Sequence, residues 1–117
     1  MKKRIRLMLK YIKYKSMSNK EKLEALKAFL TENNVKFVEN HYSKTNKLTF
    51  DLLIKDLQIA VHLSDKNDQT FYKKIYRYYK PFFIRESETA DFVIEKMQNC
   101  IVERMTFLQR KFEKEGK

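Results

Sequence analysis

Leu48-Thr49-Phe50-Asp51-Leu52-Leu53-Ile54-Lys55, then Asp56-Leu57, then Gln58-Ile59-Ala60-Val61-His62-Leu63-Ser64 is the stretch that decides the architecture. Both runs are rich in β-branched and large apolar residues, and the break between them is too short for anything but a tight turn around Asp56. A side-chain period of two places Leu48, Phe50, Leu52 and Ile54 on one face, with Thr49, Asp51, Leu53 and Lys55 on the other. In the second run Ile59, Val61 and Leu63 share a face, opposite Ala60, His62 and Ser64. The stretch is two strands joined by that tight turn, with Asp51 on the more mixed face of the first and His62 on the more mixed face of the second.

Working outward towards the N-terminus, Val35 to Asn40 predicts a further strand, so the three strands form a meander. Before it, Ser18 and Glu21 have the spacing of a capping box, in which hydroxyl and carboxylate each take a free backbone amide. Leu23, Leu26, Phe29 and Leu30 then form an apolar stripe up to a stop at Asn33-Asn34. Ile5, Met8, Leu9 and Ile12 give residues 4–14 the pattern of a basic amphipathic helix, with a short strand as the alternative. On the C-terminal side a helix is expected from Asp68, burying Phe71, Ile75 and Tyr78 and ending before Pro81. Phe82 to Ile84 reads as a fourth strand, parallel to the third across that helical crossover. A final helix is expected from Thr89 to Lys114, with Phe92, Ile94, Met97, Ile101, Met105 and Leu108 inward. The fold class is therefore α/β (α+β): a small mixed four-stranded sheet in the order α-β-β-β-α-β-α.

Composition limits the possibilities further. A chain of 117 residues carries one core, and with one glycine and one proline no linker divides it. Residues 1–17 are expected as a basic arm or helix and residues 18–117 as a single domain. The single cysteine, Cys100, excludes an internal disulfide and is expected as a small buried helix residue. Two histidines and one cysteine cannot build a four-ligand structural zinc site. No apolar run is long enough to cross a bilayer and no signal segment is evident, so a cytoplasmic location is expected. Of the net charge of +11, seven units come from Lys2, Lys3, Arg4, Arg6, Lys10, Lys13 and Lys15, in a segment with no acid. Such an excess attracts polyanions, and DNA or RNA is the expected partner.

The hairpin from Phe50 to Ser64, within this order of elements, resembles the core of the restriction-endonuclease-like superfamily, especially its very-short-patch-repair-like branch. The resemblance covers roughly residues 18–108. It implies a metal-binding aspartate at Asp51, although Phe50 stands in place of the family's usual proline. On the third strand the family has an acid and a lysine, whereas this chain has His62 and Ser64, or Ala60 and His62. Magnesium prefers hard oxygen ligands, so Asp51 beside an imidazole is a poor site for it. The resemblance thus implies a degenerate nuclease fold that binds without cutting and needs no cofactor. Should a residual nuclease survive, it would use magnesium, with Asp51, His62 and helix-borne Glu24 as its catalytic residues and Lys66 just beyond the strand.

Between Lys66 and Lys80, Lys73, Arg77 and Lys80 recur at helical spacing, with Tyr72, Tyr76 and Tyr79 on the adjacent face. Cations there can neutralise phosphates, while tyrosines stack on unpaired bases or cover the core. With Lys2, Lys3, Arg4 and Arg6 of the arm, Lys66, Tyr72, Lys73, Tyr76, Arg77 and Lys80 form the expected nucleic-acid-binding set. The expected reading is a non-catalytic nucleic-acid-binding protein. A protein-interaction module is its rival, dimerising through the apolar surface of the final helix around Met97, Met105, Phe107, Leu108 and Phe112.

Overall fold

The computed structural model describes residues 17–115. The helix expected over residues 4–14, and with it Lys2, Lys3, Arg4 and Arg6, lies outside the described residues. The first described helix, α1 (Asn19–Glu32), begins where the sequence places it, because the Ser18 hydroxyl accepts a hydrogen bond from the Glu21 amide at 3.1 Å. It ends in a Schellman turn built without glycine. Asn34 takes a left-handed φ of 58°, its amide donates to Thr31 at 3.1 Å, and the Val35 amide donates to Leu30 at 2.8 Å. That turn occupies the backbone of Val35, so the first strand starts later than periodicity suggests: β1 runs Val38–Ser43, not from Val35 to Asn40. Val35 and Phe37 still pack against the core, as part of the connection.

The rest follows the expected order: β2 (Leu48–Ile54), a 3-10 turn (Lys55–Leu57), β3 (Ile59–Leu63), α2 (Asp68–Ile75), β4 (Lys80–Ile84) and α3 (Ala90–Glu115). The sheet order is β1-β2-β3-β4. The first two pairings are antiparallel, and β3 pairs with β4 in parallel from Ile59↔Lys80 to Leu63↔Ile84. α1 and α3 cover one face, where Leu26, Leu30, Val93 and Met97 meet Leu52, Ile54, Val61 and Ile84. α2 covers the other, where Phe71 and Ile75 meet Phe50, Leu53 and Ala60.

The simple alternation expected for β2 fails in its middle. Phe50 and Leu53, three residues apart, share the α2 face, while Leu52 and Ile54 share the opposite one. The strand changes face at Asp51. On β1 the facing residue, Asn40, has a φ of 49°, and the ladder skips this pair between Glu39↔Leu52 and His41↔Phe50. Two helical assignments are also corrected. Tyr78 is exposed, because α2 stops at Ile75, whose carbonyl accepts the amides of both Tyr78 and Tyr79 at 2.9 Å. The buried stripe of α3 is Ala90, Val93, Met97 and Cys100, while Phe92 and Met105 face outwards. At about 1.5 Å per residue α3 is some 39 Å long, and Val102, Met105, Phe107 and Phe112 in its C-terminal half are exposed.

Lys22 is buried on α1, with its ammonium donating to the carbonyls of Arg85 at 2.9 Å and Glu86 at 3.1 Å and to Asn19 Oδ1 at 3.4 Å. It closes the chain leaving β4 over the end of α1. Lys22→Met keeps the stem but orphans both carbonyls, at a cost of about 1–3 kcal/mol. We expect the urea midpoint to fall with an unchanged m-value; an unaltered midpoint would remove this bridge from the account of stability.

Candidate functional site

The β2–β3 ladder ends at Leu52↔Val61, and the side chain of Asp51 continues it, Oδ2 accepting the Leu63 amide at 2.8 Å. The same oxygen lies 3.6 Å from Nδ1 of His62. Beyond β3 the chain winds into α2 through a turn held by its own carboxylates. Asp65 accepts the Asn67 amide at 2.7 Å, and Asp68 accepts the Asp65 amide at 2.9 Å and the Ser64 hydroxyl at 2.6 Å. This winding brings two further acids to His62, with Asp65 Oδ1 at 3.3 Å and Asp68 Oδ1 at 3.8 Å from Nε2. The imidazole lies almost flat on Phe71, with centroids 4.3 Å apart and planes 18° apart, and Phe83 meets it edge-on.

His62 therefore stands between Asp51 on one side and Asp65 and Asp68 on the other. Its side chain is 15% exposed, yet both ring nitrogens are buried and neither has a hydrogen-bond partner among the described residues. One ligand atom from each of His62, Asp65 and Asp68 falls within 4.8 Å of the others. One imidazole with carboxylates suits a cation that accepts nitrogen and oxygen, such as manganese, better than magnesium. The hydrogen bond from the Asn67 amide holds the Asp65 carboxyl below its ordinary range, and the nearby imidazole acts in the same direction.

At the other end of α2 the chain forms a groove of about 290 Å³. Its cations are Arg77, Lys80, Arg104 and Lys111, from the turn after α2, from β4 and from α3, and no carboxylate lines it. Arg104 is fixed in place. Its Nε donates to the Leu57 carbonyl at 2.9 Å, a terminal nitrogen donates to Gln58 at 3.1 Å, and the guanidinium sits 4.8 Å from the Phe107 ring centroid. Tyr72 and Tyr76 stack at the rim with planes 5° apart and centroids 5.6 Å apart, 51% and 49% exposed respectively. Arg77 donates to the Tyr76 hydroxyl at 3.4 Å.

The structure thus brings Asp51 and His62 together as the sequence implies, but not Glu24. That residue pairs with Lys27 at 2.6 Å on α1, across the sheet from His62. Lys66 sits in the exposed turn beside Asp65. Lys73, Arg77 and Lys80 do not share a helix face, because α2 ends before the last two. Tyr79 is half-buried and packs against the core, meeting Phe50 edge-on at 5.1 Å. Sequence reasoning missed Asp65, Asp68, Arg104 and Lys111. The spacing of three in His62, Asp65 and Asp68 was a visible signal for the first two, whereas only the tertiary packing of α3 brings in the others.

No family model, curated protein or solved structure matches the chain. No helix among the described residues is long and apolar enough to cross a membrane.

A carboxyl held below its unfolded value contributes stability above that value and loses it as the pH falls through the folded one. For Asp65 that contribution is complete above pH 3.8 and disappears in the acid limb below it. Urea midpoints of the wild type and Asp65→Asn should therefore differ near neutrality and converge in acid. A constant gap across the whole range would show that the Asp65 charge contributes nothing.

Proposed function

We propose that the protein binds nucleic acid through the basic groove at the C-terminal end of α2, aided by the N-terminal arm, on a degenerate nuclease-like scaffold. The observation that carries this reading is the groove's cation set. Arg77, Lys80, Arg104 and Lys111 converge from three parts of the chain with no carboxylate in the lining and no ion pair among the described residues. Lys96, by contrast, is neutralised by Glu88 at 2.8 Å. A concentration of unneutralised cations is suited to phosphates, which fix the position of a strand without reading its sequence. The seven arm cations add to the same attraction.

Binding should fall linearly with salt on logarithmic axes, with a slope near −0.9 per neutralised phosphate on duplex and about −0.7 on single strands. Fluorescence anisotropy with labelled DNA and RNA between about 50 and 200 mM salt measures it. Replacing Arg104 and Lys111 by Ala should weaken binding to every sequence and flatten the slope by roughly 0.7–0.9 for each phosphate that is no longer neutralised. Replacing Lys2, Lys3, Arg4 and Arg6 by Ala should do the same. A slope near zero for the wild type would overturn the reading.

The cluster at the opposite end of α2 favours a second reading, a residual metal-dependent nuclease. His62, Asp65 and Asp68 would hold the cation with Asp51 beside them, and the metal would supply an activated water and stabilise the leaving oxygen. Manganese-dependent cleavage of a labelled strand, abolished in both Asp51→Asn and His62→Ala, is the expected result if this activity is present. No cleavage with manganese or magnesium would leave the protein a binder only.

A further inference from the structure

We propose that the groove takes unpaired nucleotides, with a base stacked on the Tyr72–Tyr76 pair and the adjoining phosphates against Arg77, Lys80, Arg104 and Lys111, so that the protein selects single strands over duplex. The inference rests on the nucleic-acid reading above and specifies which form of nucleic acid the site accepts. It comes from the tyrosines, not the charges. Tyr72 and Tyr76 lie one helical turn apart at the end of α2, and their rings stack in parallel while each remains about half exposed to solvent. Tyr78, 61% exposed, projects from the turn that follows.

Tyr79 differs from them, being half-buried with its ring edge-on against Phe50. The stacked pair borders a concave site, and two of its four cations are held in position. Arg77 is bonded to the Tyr76 hydroxyl, while Arg104 is bonded to the 3-10 turn and packed over Phe107. Every base has a π-face, so such a platform grips without reading sequence. In a duplex those faces are already covered by neighbouring bases, and the platform has nothing to stack on.

Groove size argues the same way. A volume of about 290 Å³ is at the lower end of the range for small-molecule sites and suits a single nucleotide unit. Nor is α2 built to enter a major groove. It has eight residues, buries Phe71 and Ile75 in the sheet, and carries Asp65 and Asp68 at its leading end.

The test is anisotropy with a labelled homopolymer DNA strand, the same length of RNA, and a matched duplex, together with tyrosine fluorescence, which no tryptophan masks. We expect tighter binding to the single strands, with quenching on saturation. Tyr72→Leu should weaken single-strand binding by roughly tenfold or more while leaving duplex affinity and the salt slope unchanged, and Tyr76→Leu, which also releases Arg77, should weaken single-strand binding by at least as much. Tyr72→Phe, which keeps the ring, should bind like the wild type, and circular dichroism establishes that each variant folds. Comparison of the DNA and RNA strands shows which backbone is preferred. Salt-dependent binding without single-strand preference, or with leucine variants equal to the wild type, would overturn the inference and leave the binding reading standing. No salt-dependent binding to any probe would overturn both.

Discussion

The parallel pairing of β3 with β4 is the constraint from which the rest of the molecule follows. Two parallel neighbours cannot be joined by a hairpin, so the chain must leave the end of β3, cross one face of the sheet and return at the start of β4. α2 is that crossing. Because it covers the sheet, Ile59, Ala60 and Val61 are buried on both faces, the condition under which a strand can be apolar throughout. The crossing also has two ends, and each candidate site lies at one of them. The exit from β3 gathers Asp65 and Asp68 about His62, and the return to β4 opens the basic groove against α3.

The order of elements was legible because each carries its own local signal. Ser18 caps α1, the run from Ile59 to Leu63 is apolar at every position but His62, and Pro81 bars the helix before it from continuing. Features set by contact between elements were not legible. The change of face at Asp51 depends on Asn40 of the neighbouring strand, which sequence spacing does not connect to it. The true inner stripe of α3 depends on where the sheet lies beneath it. Tyr78 and Tyr79 exchange their expected places because α2 stops one turn earlier than Pro81 requires.

The same division holds for the candidate sites. Asp51 and His62 could be paired from the hairpin alone, since both belong to adjoining strands. Arg104 lies 46 residues from its partner Gln58 and shares no pattern with it, so its role in the groove emerges only from the packing of α3 on the 3-10 turn. The carboxylates around His62 also have a double duty. Asp51, Asp65 and Asp68 each accept at least one backbone amide, so the residues that could perform chemistry also shape the turn that positions them.

Charge along α2 is segregated, with carboxylates where the helix begins and cations where it ends. At about 1.5 Å per residue the ends are some 12 Å apart, about half as much again as the screening length of about 8 Å at physiological ionic strength. An approaching polyanion thus meets two separate poles, one repelling and one attracting, and not an averaged surface. The arrangement exerts a torque as well as a pull. For the nucleic acid proposed above, two such poles would favour approach with the strand facing the tyrosine end, so selection among orientations would begin during the encounter itself.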